Sequence, residues 1–176
     1  AVVAIILVSL TIICFIAFAF RKVSKPVSSW RYGFIAIVTL LHDVLIPVGV
    51  FVVLSHFYGA EVDTLFVVAV LTILGLSVSD TIVVFDRVRE NLKLNMQTKT
   101  QEDFETTVGK SLGQTFVRSI NTSFTVILAL LALAIFGPES TRNFAIVLTV
   151  GMFFGSYSSI FMASPLLVLW NNVSKK

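Results

Sequence analysis

The chain has 176 residues, of which 56% are hydrophobic and only 13% are charged, whereas a soluble domain carries about a quarter charged residues. So little polar surface excludes a soluble globular domain, because the apolar side chains need lipid or partner helices to cover them. The net charge of +3 does not indicate nucleic-acid binding, since the basic residues flank apolar runs, and the one cysteine, Cys14, excludes an internal disulfide and a cysteine-rich metal site.

Five apolar runs are long enough to cross a bilayer, whose hydrocarbon core of roughly 30 Å takes about 20 helical residues. We predict an all-α, polytopic membrane bundle with five transmembrane helices, in a single integral-membrane unit covering residues 1–176. The predicted spans are residues 2–20, 32–54, 65–85, 118–136 and 144–170. The sequence has no phosphate-binding glycine loop and no hydrolase motif, so we predict neither a catalytic site nor a metal site.

The second predicted span contains His42 and Asp43 in its middle and Pro47 four residues after the aspartate. The proline ring removes the hydrogen bond to the Asp43 carbonyl and kinks the helix. A carboxylate at such a kink can hold water or a donor from a neighbouring helix. Asp43 is therefore either a structural contact or part of a proton path.

The third predicted span contains Asp80, seven residues before Arg87 and so about 10 Å below the cytoplasmic boundary at a rise of about 1.5 Å per residue. Ser77, Asp80 and Thr81 share one face, and this polar stripe must face protein or water. Charged groups inside spans are costly and mark functional sites by default. Such a carboxyl, buried near a cation, can load and release protons, and a static hydrogen bond between helices is the alternative.

A short amphipathic helix is predicted on the cytoplasmic face at residues 100–113. Thr100-x-x-Asp103 resembles a capping box with Asp in place of Glu, and apolar side chains then repeat at every fourth position from Phe104 to Leu112. A solvated linker with chance spacing is the alternative.

The fourth predicted span opens with Arg118, which shares a face with Asn121 and Thr122. So polar a start indicates a hydrated cavity rather than lipid, although an arginine that reaches lipid headgroups is the alternative. Because Asp80 lies at a similar depth, we favour an Asp80–Arg118 pair that breaks on protonation and titrates as one unit.

The last predicted span carries Gly151, Gly155 and Ser159 at intervals of four residues. Small residues at this spacing let helix backbones approach closely. We therefore predict that this span packs inside the bundle rather than alone in lipid.

The positions of Lys and Arg predict the orientation, because basic residues concentrate in cytoplasmic loops. Every Lys and Arg except Arg142 lies in segments 21–31 and 86–118 or at the C-terminus, while segments 55–64 and 137–143 are short and carry acidic residues. We expect the chain to start outside, the C-terminus to be cytoplasmic, and the spans that flank each short outer segment to be antiparallel neighbours.

Four sets of segments, in order along the chain, resemble the signatures of the SecF family of protein-export membrane subunits. They are Leu41–Val44, Ser79–Asn91, Arg118–Ser123 and, in the last part, Phe136-Gly137, Phe144-Ala145 and Gly155–Phe161. Two positions depart from the family pattern, which usually has Tyr at the position of Leu76 and Asn at the position of Ser79. The resemblance covers almost the whole chain.

The resemblance implies a proton-motive-force-coupled accessory subunit of the Sec translocon, which promotes protein export across the bacterial or archaeal cytoplasmic membrane and is not an enzyme. It implies a six-span bundle similar to resistance-nodulation-division (RND) transporters, with the first span and an extracytoplasmic domain preceding residue 1. The expected partners are SecD, the SecYEG channel, a YajC-like subunit and membrane lipid, with unfolded secretory chains as substrate and no nucleic acid. Protons are the expected coupling ion, and no cofactor is expected.

The same resemblance implies that Asp80 and Arg118 belong to the proton route. We expect accessory polar residues around them, namely Asp43, His42, Ser77, Thr81, Ser119, Asn121 and Thr122. Two other functions stay open. One is a proton-driven small-molecule efflux component of the RND superfamily, which would need a substrate-binding outer domain. The other is a non-transporting scaffold of a membrane complex, which would tolerate neutral residues at both positions.

Overall fold

The chain is seen in a computed structural model that describes residues 29–99 and 102–173, together with the separate positions 3, 7, 11, 14 and 18. Apart from those positions, the predicted span at 2–20 lies outside the described residues. Helices make up all of the regular structure in the described ranges. Their bounds are α1 Ser29–Tyr58, α2 Thr64–Thr98, α3 Phe104–Phe136, α4 Glu139–Ser158, a π-helical turn at Ser159–Ala163 and α5 Ser164–Val173.

Four helices in the described residues are long and apolar enough to cross a membrane. They are Arg31–Tyr58, Thr64–Thr98, Phe104–Phe136 and Glu139–Val173, the last of which joins α4, the π-helical turn and α5. Four of the five predicted spans therefore coincide with such helices. Two are much longer than predicted, because α2 continues past residue 85 to Thr98 and α3 begins at Phe104 rather than at residue 118.

The ends of the helices follow from the local sequence. α2 begins after Asp63, whose side chain accepts a hydrogen bond from the backbone N–H of Phe66 at 2.7 Å. It ends at Thr98, and the next residue, Lys99, takes a left-handed conformation with φ 54° and donates its backbone N–H to the Asn95 carbonyl. Gly137-Pro138 separates α3 from α4, because the proline cannot continue α3.

The predicted separate helix at residues 100–113 is not confirmed, because its described part is helical from Phe104 but continues into a longer helix, which also excludes the alternative of a solvated linker. Residues from Phe104 onward belong to α3, which runs unbroken to Phe136. No proline interrupts this stretch, and its hydroxyls bond locally, as when Thr115 donates to the Ser111 carbonyl at 3.1 Å. The buried side chains of its first turns meet the end of α2, so that the two helices form a hairpin.

Two apolar clusters hold the helices together. In the larger cluster, Tyr32 of α1 packs edge-on against Phe85 of α2 with ring centroids 5.2 Å apart, and Leu167 of α5 is buried in the same cluster. In the smaller cluster, Ile73 of α2 and Val147 of α4 are buried. In lipid, such packing rather than the hydrophobic effect drives the association of helices.

Small residues set the distance between α2 and the helix that follows residue 139. A Cβ atom at Gly151 would lie 2.4 Å from Cδ1 of Ile73, so only glycine fits there without a shift. At Gly155 the same atom would make an ordinary contact, 3.6 Å from Cβ of Ser77. Ser159 adds a hydroxyl that lies 3.0 Å from the Thr81 hydroxyl. The three small residues therefore line the side of this helix that meets α2.

Candidate functional site

A buried carboxyl, that of Asp43, lies where α1, α2 and α4 meet, with 0% of the residue exposed. One oxygen, Oδ2, accepts hydrogen bonds from Ser77 of α2 at 2.5 Å and from Ser158 of α4 at 2.7 Å. The other oxygen, Oδ1, lies 3.0 Å from Nδ1 of His42. Pro47 within α1 has no N–H to bond the Asp43 carbonyl. Side chains from three helices thus converge on one carboxyl.

The π-helical turn begins directly after this contact. Ser158, the last residue of α4, reaches Asp43 on α1, whereas Ser159, the first residue of the π-helical turn, reaches Thr81 on α2. Gly155 lies beside the group, and a Cβ atom there would make an ordinary contact, 3.9 Å from Oδ2 of Asp43. Single π-helical turns inside α-helices occur frequently at functional sites. Two consecutive serines at the start of this turn thus contact two neighbouring helices.

Asp80 lies on α2 one turn after Ser77 and is half-buried. It interacts electrostatically with the charges of Asp43 and Arg118. In the part of the chain that the structure describes, no hydrogen bond or ion pair joins Asp80 to Arg118, whose side chain is exposed. Their pairing on the proton route therefore stays a prediction, and the geometry adds Asp43 as a second carboxyl in electrostatic reach of Asp80.

α3 carries polar side chains on two faces. Its buried face is lined by hydroxyls, and Ser123 on this face accepts a hydrogen bond from Ser156 of α4. Ser119 belongs to the same buried face. The exposed face holds the other polar residues predicted for this span, namely Arg118, Asn121 and Thr122. Of the predicted accessory residues, His42, Ser77 and Thr81 thus lie at or beside the Asp43 site, and those of α3 do not.

A cavity of about 350 Å³ opens between α2 and α3 beside Arg118. It is lined by Ile82, Val83, Asp86, Arg87, Glu90, Gln114, Thr115 and Arg118. Arg87 donates from Nε to Oε1 of Gln114 at 2.6 Å and from Nη1 to Oε2 of Glu90 at 2.5 Å. On this side, Arg118 therefore has polar and charged neighbours rather than lipid alone.

A network of amides and hydroxyls joins the end of α2 to the start of α3, and sequence reasoning missed it. Nδ2 of Asn91 donates to Ser111 at 2.8 Å, and Nδ2 of Asn95 donates to Thr107 and Glu102, both at 2.9 Å. The hydrogen bond from Asn95 lowers the pKa of the Glu102 carboxyl. A signal for this network was present in the sequence. Asn91 and Asn95 are four residues apart, and so are Thr107 and Ser111, so each pair lies on one face of its helix.

The donor set of the Asp43 site suits a proton better than a metal ion. Hydroxyls and one imidazole surround the carboxyl, and each of these groups can donate or accept a hydrogen bond. Within the described residues, no three His, Cys, Asp or Glu side chains come together as metal ligands. The arrangement can therefore hold a proton and pass it along a hydrogen bond.

Comparison with known proteins gives a match over residues 1–173 to the family described as "Protein export membrane protein SecD/SecF, C-terminal". Among similar curated proteins, the protein translocase subunit SecF of Thermobaculum terrenum is 54% identical over 98% of this chain and 52% of that protein. The SecF of Anaerolinea thermophila is 43% identical over 98% of this chain and 54% of that protein. The chain thus spans about half the length of these curated relatives.

A solved structure, the "Crystal structure of SecDF in Super-membrane-facing form", resembles this fold with a TM-score of 0.75 and 37% sequence identity. The likeness covers 93% of this chain and 20% of that chain. The protein translocase subunit SecDF of Bacillus subtilis is 39% identical over 97% of this chain and 21% of that protein. Both the sequence and the fold of this chain therefore recur within much longer chains.

Proposed function

Because the chain belongs to the SecD/SecF C-terminal family of protein export membrane proteins, we propose that it is the membrane-embedded part of a Sec protein translocase subunit. Similar proteins are translocase subunits by name, and their likeness runs along nearly the whole chain. In this proposal it is a multi-pass protein of the cytoplasmic membrane that promotes protein export and is not an enzyme. The four apolar helices of the described residues support a membrane location.

We further propose that export is coupled to the proton motive force through Asp80 and Arg118. The observation that carries this proposal is Asp80 itself, a half-buried carboxyl in the middle of α2, in electrostatic reach of Arg118 and of the buried Asp43. Ionisable groups inside spans are rare and mark ion pathways. One charge crossing 100 mV releases about 2.3 kcal/mol, which is enough energy to bias a conformational equilibrium.

The proposed partners are SecD, the SecYEG channel and a YajC-like subunit, with unfolded secretory chains as the substrate. The likeness to longer SecDF chains supports SecD as a neighbour. The basic residues of segment 86–118 support a cytoplasmic position for the hairpin between α2 and α3. In that orientation the chain starts outside and its C-terminus is cytoplasmic.

Proton-driven export in membrane vesicles tests the role of Asp80. The full-length protein, assembled with SecD, is compared with its Asp80→Asn variant in the presence and absence of a proton gradient. We expect the variant to lose the gradient-dependent part of export, since an amide cannot carry the proton, and to keep the gradient-independent part.

The matched control is Asp103→Asn, which makes the same substitution at an exposed aspartate that forms no side-chain cap hydrogen bond. It should export like the wild type. Persistence of the gradient-dependent part in Asp80→Asn would contradict the proton route and favour a scaffold that only stabilises partner subunits.

A further inference from the structure

The two oxygens of the Asp43 carboxyl have different surroundings. The hydroxyls of Ser77 and Ser158 hold Oδ2, at 2.5 and 2.7 Å. Oδ1 has Nδ1 of His42 at 3.0 Å. A hydrogen lies between these two atoms, either on an imidazole that faces a carboxylate or on a carboxyl that faces a neutral imidazole nitrogen. The fold therefore fixes one oxygen, and the other shares a proton with the imidazole.

His42 lies between this buried oxygen and the outside of the helix bundle. The Asp43 side chain is 0% exposed, whereas 31% of the His42 side chain is exposed. An imidazole has two nitrogens, so one can accept a proton while the other donates one. The pair thus combines a partly exposed imidazole with a fully buried carboxyl.

Few charged groups act on Asp43 besides His42. From α2, Asp80 interacts with it electrostatically, and from α3, Arg118 acts on Asp80. The ionisable side chains of α4 are Glu139, Arg142 and Tyr157. The first two lie in the first turn of α4, and the third is exposed, while α5 carries none. Within the described residues, His42 is therefore the one group in contact with Asp43 that can become cationic.

The pair lies one helical turn from Asp80. Ser77, which bonds Asp43, precedes Asp80 by three residues on α2, which corresponds to a rise of about 4.5 Å. Because α2 runs toward the cytoplasm in the proposed orientation, Asp43 lies on the outer side of Asp80. A proton driven inward would reach Asp43 first.

We propose that His42 and Asp43 form a proton-loading dyad, in which His42 takes up a proton from the outer side and Asp43 holds it before it passes to Asp80. This inference rests on the proposed proton-coupled function and adds a site to it. In the transfer step, the imidazolium gives its Nδ1 proton to Oδ1 of the carboxylate, which leaves a neutral imidazole and a neutral carboxylic acid. Ser158 can then turn its hydroxyl to a second acceptor, the Gly155 carbonyl at 3.0 Å, so loading the dyad changes the contact between α1 and α4.

Variants of the full-length protein, assembled with SecD in membrane vesicles, test the dyad. Asp43→Asn keeps an oxygen for the two serine hydroxyls but cannot take up a proton, so we expect the gradient-dependent part of export to be lost. His42→Gln should weaken that part and flatten its dependence on the outer pH, because a glutamine side chain cannot take up the proton and pass it on. Asp103→Asn is again the matched control and should leave export unchanged.

Infrared difference spectra of the same complexes provide a readout that a purely structural role would not change. On acidification, the carbonyl band of a protonated carboxylic acid should appear in the wild type and be reduced in Asp43→Asn. If Asp43→Asn exports like the wild type and its spectrum is unchanged, the dyad is overturned, while loss of export in Asp80→Asn would still support proton coupling. If Asp80→Asn exports normally, the proposed function itself fails.

His42→Gln decides the question if Asp43→Asn does not assemble, because His42 is partly exposed and its replacement leaves no buried cavity. A flattened pH profile in this variant supports the dyad. A profile identical to that of the wild type overturns it.

Discussion

At the scale of single residues, Gly151 decides how closely α4 approaches α2, because a Cβ atom there would lie 2.4 Å from Ile73. We expect Gly151→Ala to destabilise the full-length protein by about 1–3 kcal/mol, the usual cost of overpacking, as measured by thermal unfolding in detergent. Gly155→Ala is the matched control, since its Cβ atom would lie 3.6 Å from its nearest neighbour. Equal losses of stability in both variants would contradict the steric explanation.

Asp43 shows what a sequence can and cannot predict about a single residue. A charged group inside an apolar helix is energetically costly, so Asp43 is a candidate functional residue. Pro47, four residues further on, leaves the Asp43 carbonyl without its helical hydrogen bond. Its donors could not be predicted, because Ser77 and Ser158 lie 34 and 115 residues away along the chain. Only the packing of three helices brings them together.

At the scale of the elements, the lengths of α2 and α3 were the least predictable feature. Hydropathy marks the apolar part of a helix but not its polar continuation, so the predicted third span stopped at residue 85 whereas α2 ends at Thr98. The continuation is stable because amides of α2 meet hydroxyls of α3, as Asn91 meets Ser111. The stability of the hairpin depends on contacts between residues of the two helices, so the sequence of either helix alone does not predict it.

The hydrogen bond from Asn95 to Glu102 makes the stability of this hairpin depend on pH. It lowers the pKa of Glu102 below the ordinary value of 4.5. The ionised form is therefore favoured by folding, and the contribution is present above pH 4.5 and lost as the pH falls through the folded-state pKa. We expect the difference in unfolding temperature between the wild type and Asn95→Ala to shrink below pH 4.5.

A matched comparison uses Glu61→Gln, which replaces an exposed glutamate in the loop between α1 and α2. Its unfolding temperature should follow that of the wild type over the same pH range. A difference between the wild type and Asn95→Ala that stays constant with pH would rule out Glu102 as the titrating partner.

At the scale of the whole molecule, the exposed face of α3 is too polar for lipid. Arg118, Asn121 and Thr122 are all exposed there, within a helix that is long and apolar enough to span, and such groups usually face water or protein. We expect Asn121→Cys, in full-length protein whose native cysteines, Cys14 among them, are replaced by serine, to react with a water-soluble maleimide when the protein is in membranes without partners.

Leu128→Cys is the matched control, because residue 128 lies two turns further along the same face and its leucine is exposed among apolar neighbours. It should stay unlabelled. Labelling of both positions would mean that water reaches far along α3, and labelling of neither would mean that lipid covers the polar face.

The set of membrane helices could largely be predicted, since each apolar run is about as long as a bilayer is thick. Four predicted spans coincide with helices apolar enough to cross it. Which helices touch could not be predicted in the same way. The sequence pattern places Asp80 and Arg118 at a similar depth in the membrane. In the described structure, however, the serine hydroxyls of two helices bond Asp43, and Arg118 is exposed.

The π-helical turn at Ser159–Ala163 makes the molecule tolerant of one particular change in chain length. A π-helical turn closes its hydrogen bonds over five residues, whereas an α-helical turn closes them over four, so the π-helical turn holds one extra residue. Deleting one codon within this turn would let the chain continue as α-helix with α4 and α5 facing their present neighbours, and Leu167 would keep its buried position. Deleting one codon in the α-helical part of α4 would instead rotate the residues that follow by about 100°, so the same loss of one residue would do more harm there.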